Sequence, residues 1–329
     1  MKMTVLGAGS WGTALAHLAA GKGIETVLLA RDPEIAEAVN TRHENPRYLS
    51  RLALDPFLRA ETKPEIAFAG TDVCLLATPC QHMRGALRRI APHVPENCTF
   101  ICASKGIELD SLKRMSQVVS ETLPDAAARY AVLSGPSFAE EVVRGKPTAV
   151  VLGCGDAALG EELRAVFSTP HMRVYSSVDV AGVEVGGAVK NVMAIAAGLC
   201  DGLGLGHNAR AALITRGLAE MSRLGEALGA RAATFMGLSG MGDLVLTCTG
   251  DLSRNRQVGL RLAAGESLKA ISDSMHMVAE GVKTTEAVCA LAVLLAVELP
   301  VAFAVRRVLN GAAPTGVLRE LMSRALREE

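Results

Sequence analysis

Three glycines near the start of the chain occur at a spacing that could hold a phosphate group. Gly7, Gly9 and Gly12 follow an apolar run at 3–6 and precede a stretch of helix-forming residues. A strand that turns sharply into a helix leaves backbone N–H groups and the positive end of the helix dipole at the turn. The pattern favours a pyrophosphate, and so a dinucleotide, over a glycine-rich packing turn, because a second strand at 26–30 completes a βαβ unit.

Two isolated charges in the second half of the chain could carry out proton transfer. Lys190 is the only charge in a helical stretch, 185–200, that is apolar or small on every side, and Asp243 is the only charge within 232–250. A buried ammonium group needs a partner, so the two charges are expected to meet. They form either a structural ion pair or a catalytic lysine oriented by a carboxylate. Carbonyl reduction favours the second reading, since it needs a proton donor as a hydride arrives.

Other candidate ligand-binding residues follow the ends of predicted strands or lie in a predicted loop. Lys105 follows a strand at 99–103 and is either a ligand-edge residue or a solvated loop lysine. Gly135 and Ser137 follow a strand and precede a helix, where Ser137 would act as an N-cap beside an anion site or as an ordinary cap. The segment 253–256 packs several donors into a predicted loop, which suits a phosphate clamp but equally an exposed basic turn.

The end of the second strand bears on the choice of dinucleotide. A carboxylate there would bind the ribose 2′-hydroxyl of NAD, whereas an arginine accommodates the 2′-phosphate of NADP. The sequence has Arg31 followed by Asp32. Because Arg31 comes first after the strand, NADPH is favoured, and Asp32 leaves dual use open.

Composition limits the class of protein. The 329 residues are enough for about two domains, and half of them are hydrophobic. Lys plus Arg equals Asp plus Glu at 34 each, so no overall charge favours nucleic acid or an anionic membrane. The eight cysteines show no metal-ligand spacing and are expected to be reduced, mostly buried thiols, with no metal site. The chain shows no secretory signal, and its ten-residue apolar run at 288–297 is too short to span a bilayer, so we expect a soluble cytoplasmic protein.

The predicted elements change character along the chain. Helical stretches alternate with short apolar runs up to about residue 180, which predicts a mostly parallel, doubly wound sheet of α/β class. Long helical segments at 183–199, 209–228 and 280–297 predict a helical second domain. We therefore expect a dinucleotide-binding domain at 1–180 and a helical substrate domain at 181–329. The predicted strands are 3–6, 26–30, 73–77, 99–103, 131–133, 149–152 and 173–175.

Six short blocks, taken in order, closely resemble the bacterial NAD(P)-dependent glycerol-3-phosphate dehydrogenases. The resemblance extends over about residues 1–310 and implies a Rossmann domain joined to a helical domain like that of 6-phosphogluconate dehydrogenase. Each block is weak alone, but their combination is highly specific. The blocks are 7–16, 104–106, 134–139, 187–192, 240–244 and 253–256.

The resemblance also implies roles for individual residues. It implies that dihydroxyacetone phosphate is reduced to sn-glycerol 3-phosphate for phospholipid synthesis, by a homodimer, with Lys190 as proton donor or acceptor and Asp243 and Lys105 beside the substrate. The residues it places around the substrate are Lys105, Gly135, Ser137, Lys190, Asp243, Ser253, Arg254 and Asn255. Those it places around NAD or NADP are Gly7, Gly9, Ser10, Trp11, Gly12, Arg31, Lys105, Ala139, Arg254, Val278 and Glu280.

Two other functions are compatible with parts of this pattern. A hydroxy-acid dehydrogenase of the same architecture would want an arginine for a carboxylate and no phosphate clamp. A non-catalytic dinucleotide sensor would bind cofactor without turnover, and the intact Lys190 and Asp243 argue against it.

Overall fold

The chain divides into two compact units. The computed structural model describes residues 1–275 and 279–322. The sheet unit comprises Met1–Lys105 and Lys113–Glu184, and the helical unit comprises Gly106–Leu112 and Val185–Glu329. The predicted domains, a cofactor-binding one at 1–180 and a substrate-binding one at 181–329, are defined by function. Their roles stay predictions.

A single sheet forms the centre of the sheet unit. Its strands, within the described residues, are β1 (Lys2–Leu6), β2 (Glu25–Leu29), β3 (Arg59–Glu61), β4 (Val73–Leu76), β5 (Thr99–Cys102), β6 (Tyr130–Ser134), β7 (Thr148–Cys154) and β8 (Met172–Ser177). Their order is β3-β2-β1-β4-β5-β6-β7-β8. Neighbouring strands are parallel, except that β7 is antiparallel to β6.

The seven predicted strands are all present, and β3 is the one the sequence did not predict. Its three residues are Arg, Ala and Glu, so there is no apolar run to indicate a strand. At the edge of the sheet it is held by backbone pairing with β2 and by the side-chain amide of Asn40, which bonds to the backbone carbonyl (2.9 Å) and N–H (2.8 Å) of Ala60. Backbone pairing of this kind leaves no periodic pattern in the side chains.

Helices cover the sheet and make up the helical unit. In the described residues they are α1 (Ser10–Gly21), α2 (Pro33–Arg42), α3 (Pro64–Ala67), α4 (Met83–Ile90), α5 (Met115–Thr122), α6 (Ala139–Val143), α7 (Ala157–Phe167), α8 (Val180–Gly202), α9 (Gly206–Ala227), α10 (Ala232–Phe235), α11 (Asp243–Thr249), α12 (Arg254–Ala263), α13 (Leu268–Ser274), α14 (Glu280–Leu294), α15 (Pro300–Leu309) and α16 (Pro314–Met322). The three long predicted helices correspond to α8, α9 and α14.

The strand order creates a ligand position at one end of the sheet. The chain leaves β1 for β2 on one side and later returns to place β4 on the other side. In such sheets the crevice outside the carboxyl ends of the strands, where the order reverses, is the place where ligands bind. The turn that follows β1 begins at Gly7 and therefore lies at this position.

Helix α8 forms the centre of the helical unit. It packs so closely on α12 that a Cβ atom at Gly259 would lie 2.1 Å from the carbonyl oxygen of Ile195. The segment Gly106–Leu112 also belongs to this unit, because Ile107 is fully buried in its hydrophobic core. This short excursion was not predicted, since it lies between two strands of the sheet unit.

Helix α8 is also long and apolar enough to cross a membrane by length and composition alone. Its most apolar window is, however, completely buried inside the protein. A helix that is apolar on all sides is typical of a protein core as well as of a membrane span, and the burial indicates the first.

Replacing Gly259 with Ala should destabilise the helical unit. Alanine normally favours a helix by about 0.5–1 kcal/mol over glycine, but here its methyl group would collide with the backbone of α8. We expect the free energy of unfolding in urea to fall by about 1–3 kcal/mol. The matched control is Gly316→Ala in α16, where nothing lies within 4 Å of the added Cβ. Equal stability of the two variants would contradict the close packing.

Candidate active site

The glycine turn after β1 has the shape that a dinucleotide requires. Gly7 has φ +122°, and a Cβ there would lie 2.9 Å from the backbone of Ala77. A Cβ at Gly12 would lie 2.0 Å from the carbonyl oxygen of Gly7, so these two glycines are required by packing. At Gly9, by contrast, nothing lies within 4 Å of an added Cβ. The first and third glycines of the turn therefore pack against the protein, while the space beside the middle glycine is free. This free space fits the close approach of a pyrophosphate.

A loop held by hydrogen bonds supports the glycine turn. The fully buried Asn45 donates to the carbonyl of Ala8 (3.0 Å) and to the hydroxyl of Thr13 (2.9 Å). Ser10 Oγ donates to the carbonyl of Tyr48 (2.9 Å). The predicted cofactor residue Ser10 thus uses its side chain to hold this loop. Sequence reasoning missed Asn45, because Asn45 beside Pro46 indicates only a turn.

Trp11 lies in the first turn of α1. Its ring is partly buried and packs against the hydrophobic core of the sheet unit. Its indole Nε1 is buried without a hydrogen-bond partner among the described residues.

The end of β2 carries both signs of charge, as the sequence predicts. Arg31 is exposed and forms no hydrogen bond with the described residues. Asp32 is the N-cap of α2, and its Oδ1 accepts from the backbone N–H of Glu34 (3.0 Å). The other oxygen of Asp32, Oδ2, accepts from Nη1 of Arg47 (3.2 Å).

Three predicted residues follow the ends of β5 and β6. Lys105 Nζ donates to the carbonyl of Gly135 (3.2 Å), so these two are brought together. Ser137 is not the N-cap that the sequence predicts. The helix α6 begins two residues later, at Ala139, and the Ser137 hydroxyl donates to the Gly135 carbonyl (3.0 Å). Helix α6 packs against α1, whose first residue is Ser10.

The two isolated charges of the sequence meet in the helical unit. Lys190 Nζ lies 3.0 Å from Asp243 Oδ1, and the two side chains are only 9% and 2% exposed. Lys190 also donates to the hydroxyl of Thr247 (2.8 Å), which donates in turn to the backbone carbonyl of Asp243 (2.6 Å). Sequence reasoning missed Thr247, although it stands four residues after Asp243 and thus on the same face of α11. The result is an ammonium group held by a carboxylate and a hydroxyl away from bulk water.

Glycine contacts bring Asp243 to Lys190. The segment Leu238–Gly242 forms one π-helical turn just before α11. It packs on α8 so closely that a Cβ at Gly186 would lie 2.4 Å from the carbonyl oxygen of Ser239. Since Gly186 precedes Lys190 by four residues, both lie on the same face of α8. The tight contact at Gly186 therefore places the start of α11 beside the lysine.

The cysteines are not part of this chemistry. Each of the eight is free and buried, as predicted. Burial raises the pKa of Cys248, one residue after Thr247, to about 12, while the positive charge of Lys190 acts in the opposite direction. Cys248 is therefore a neutral thiol at physiological pH and no nucleophile.

The donors at 253–256 do not lie in a loop, as predicted, but open helix α12. Ser253 is the N-cap and accepts from the backbone N–H of Arg256 (3.2 Å). Arg254 is the first helical residue and is exposed overall, and its guanidinium forms no hydrogen bond within the described part of the chain. Desolvation by the surrounding protein lowers the pKa of Arg254, and the negative charge of Glu280 partly offsets this. Val278, predicted beside Glu280, lies outside the described residues.

The neighbours of Arg254 are committed to other helices. The Asn255 amide donates to Asn191 Oδ1 (2.9 Å) and accepts from the backbone N–H of Gly281 (3.0 Å), which links α8, α12 and α14. Arg256 forms an ion pair with Asp201 of α8 (2.8 Å). Of the three polar side chains that open α12, Arg254 is therefore the one without a hydrogen-bond partner among residues 1–275 and 279–322.

Comparison with known proteins places this arrangement in a family. A family model described as NAD-dependent glycerol-3-phosphate dehydrogenase N-terminus matches residues 2–160, and the C-terminus model of the same description matches residues 179–318. The predicted resemblance is confirmed.

Individual relatives agree over the full length. Glycerol-3-phosphate dehydrogenase (NAD(P)+) of Nitratidesulfovibrio vulgaris, strain DP4, is 62% identical over 100% of both chains. The protein of that name from Geobacter sulfurreducens is 51% identical over 100% of this chain and 98% of its own. A crystal structure of glycerol-3-phosphate dehydrogenase from Coxiella burnetii is 37% identical, with a TM-score of 0.93 over 98% of this chain and 99% of that one.

These matches agree with the geometry of both units. The predicted fold, a doubly wound Rossmann sheet joined to a helical domain, is confirmed, and the glycine turn fits an NAD or NADP pyrophosphate. With both halves matched and the buried Lys190–Asp243 pair in place, the chain belongs to the NAD-dependent glycerol-3-phosphate dehydrogenase family.

Proposed function

We propose that this protein is an oxidoreductase that reduces dihydroxyacetone phosphate to sn-glycerol 3-phosphate with NADPH or NADH. The observation that carries the proposal is the buried Lys190–Asp243 ion pair, completed by Thr247, in a chain of this family. When bound, the nicotinamide ring supplies a hydride to the carbonyl carbon of the substrate. The chain itself must then supply a proton to the carbonyl oxygen.

Lys190 is the proton donor of the proposed reaction. Its ammonium group polarises the carbonyl and transfers a proton as negative charge develops on the oxygen. Asp243 and Thr247 fix the position of the ammonium group, since each lies within 3.0 Å of Nζ. In the oxidising direction the same lysine must accept a proton and so must first be neutral. Oxidation of glycerol 3-phosphate is therefore favoured at alkaline pH.

The substrate phosphate is assigned to residues around the start of α12. Arg254 offers a planar fork of donors at a helix N-terminus, which suits a dianionic phosphate. Asn255 retains one amide hydrogen after its bonds to Asn191 and Gly281, so its contribution is a single hydrogen bond. Family resemblance adds Ser253, Lys105, Gly135 and Ser137 to the substrate contacts.

The cofactor is assigned to the glycine turn and its surroundings. Gly7, Gly9 and Gly12 shape the turn, and the first backbone N–H groups of α1 would donate to the pyrophosphate. Family resemblance adds Ser10, Trp11, Lys105, Ala139, Arg254, Val278 and Glu280, and Arg31 is assigned to the 2′-phosphate of NADPH.

The proposed cellular setting is the cytoplasm. Glycerol 3-phosphate is the backbone on which phospholipids are built, and we place the enzyme that makes it in the cytoplasm. Family resemblance is the basis for proposing a homodimer. The full burial of α8 supports a protein that does not insert into the membrane.

The function is tested by following the oxidation of NADPH and NADH with dihydroxyacetone phosphate, and Lys190→Met should abolish most of the turnover. Methionine keeps the volume and helix propensity but removes the proton, so kcat should fall by about 10²–10⁴-fold with the cofactor Kd little changed. Lys269→Met, at an exposed position of α13, is the matched control. Retention of more than about a tenth of the activity in folded Lys190→Met would assign the proton to another residue.

Replacing Thr247 with Val should lower kcat with little effect on KM. Valine has the same shape but cannot accept the hydrogen bond from Lys190, and a hydrogen bond to a charged group contributes about 1.5–3 kcal/mol. We expect kcat to fall about ten- to a hundredfold. Thr247→Ser restores the hydroxyl and should recover most of the activity. A similar loss in both variants would indicate that Thr247 matters only for packing.

Replacing Arg254 with Gln should remove the contact that we assign to the substrate phosphate. Loss of one or two charged hydrogen bonds is worth roughly 2–4 kcal/mol, or about thirty- to a thousandfold in kcat/KM. Unphosphorylated dihydroxyacetone, which lacks the group in question, should be turned over equally poorly by both enzymes. NADPH binding is measured in parallel, because an equal loss with both substrates would mean that Arg254 acts through the cofactor or the fold.

A further inference from the structure

The ion pair between Arg47 and Asp32 changes what the end of β2 can bind. In a Rossmann unit the carboxylate at this position accepts hydrogen bonds from the ribose of NAD. Here both oxygens of Asp32 are engaged, one with the backbone N–H of Glu34 and the other with Arg47. The carboxylate that would select NAD is thus already paired within the protein.

Arg47 is held at this place by its chain neighbours. Asn45, two residues before it, is fully buried and bonded to the glycine turn through the carbonyl of Ala8. Tyr48, directly after it, accepts the hydrogen bond of Ser10 from the first turn of α1. Arg47 therefore belongs to a loop fastened to the dinucleotide turn, and is not an arbitrary surface arginine.

The donors of Arg47 are only partly used. A guanidinium group has five N–H donors, and Arg47 gives one of them to Asp32. Its side chain remains 59% exposed, and it forms no other hydrogen bond with the described residues. Arg31, next to Asp32 in the chain, is exposed as well. Two guanidinium groups, Arg31 and Arg47, therefore adjoin the paired carboxylate of Asp32, and the acidic residues Glu34 and Glu61 also lie near this end of the sheet. Guanidinium groups with unused N–H donors suit a dianion.

We propose that Arg47 is a second ligand of the 2′-phosphate of NADPH, and that the Arg47–Asp32 pair makes the protein prefer NADPH to NADH. This rests on the proposed function only in that the cofactor is a nicotinamide dinucleotide. Arg47 acts in two ways: it neutralises the carboxylate that would repel the phosphate, and it donates hydrogen bonds to the phosphate oxygens. Arg31 supplies the other half of the site.

The test is a binding measurement that needs no turnover. Titration calorimetry compares NADPH with NADH, and 2′,5′-ADP with 5′-ADP, on the wild-type protein and on Arg47→Gln. We expect Arg47→Gln to weaken NADPH and 2′,5′-ADP about ten- to a hundredfold and to change NADH and 5′-ADP less than about threefold. The matched control is Arg42→Gln, which removes an exposed α2 arginine paired with Glu44 and should affect no ligand.

A double variant separates the two actions of Arg47. Asp32→Asn removes the carboxylate charge and keeps a good N-cap. If Arg47 binds the phosphate, Arg47→Gln weakens NADPH in the Asp32→Asn background as well. If the loss disappears there, Arg47 only neutralises Asp32 and the ligand role is overturned. An equal loss for NADPH and NADH, or none for either, also overturns it.

Failure of the proposed function would look different. A protein that binds 2′,5′-ADP through Arg47 but does not reduce dihydroxyacetone phosphate would refute the reaction and leave this inference standing. If Arg47→Gln changed the affinities for NADPH and NADH equally while dihydroxyacetone phosphate was still reduced, this inference would be refuted and the reaction would stand. The thermal unfolding of each variant is recorded, and Arg47→Lys, which keeps the charge but not the fork, should lose less NADPH affinity than Arg47→Gln.

Discussion

The buried pair of Lys190 and Asp243 is the interaction on which the helical unit is organised. Neither charge could remain ionised alone at this depth, because desolvation disfavours the charged form of both groups. A buried ion pair contributes little net stability, but loss of one partner leaves an uncompensated charge. The main effect of the pair is therefore to fix the relative positions of the helices that carry it, and its contribution to the free energy of unfolding is small. Helix α8, the π-helical turn and α11 must keep their relative positions to within hydrogen-bond distance, and Thr247 tightens the same requirement.

Close backbone packing at glycines meets this requirement in both units. A side chain at Gly186 would push the π-helical turn away from α8, and one at Gly12 would separate α1 from the turn that follows β1. Each contact lies within about one helical turn of a group with a proposed function, Lys190 in one case and Ser10 in the other. Backbone atoms in contact have no rotamers to change, so they position a neighbouring group more firmly than side-chain packing does.

The sequence predicts those features that depend on local pattern. The glycine spacing, seven strands and the meeting of Lys190 with Asp243 were predicted, the last because an isolated charge in an apolar helix has few ways to be stable. The partners of Asn45, Ser137 and Thr247 were not predicted, because a polar side chain finds its partner through tertiary packing and leaves no periodic signal. Strand β3 was missed for a similar reason, since its three residues contain no apolar run and it is held by tertiary contacts, backbone pairing with β2 and hydrogen bonds from the Asn40 side chain.

The structure also separates polar residues that are satisfied within the protein from those that are not. Asp32, Asn255 and Arg256 look like ligand-binding residues in sequence, yet each has protein partners for its main hydrogen bonds. The guanidinium groups of Arg31 and Arg254 have no hydrogen-bond partner among the described residues; Arg31 follows the end of β2, and Arg254 is the first residue of α12. An exposed guanidinium group without a protein partner has N–H donors that it can offer to an anion. Phosphate is the group that the two ligands of the proposed reaction share, one as substrate phosphate and the other as 2′-phosphate.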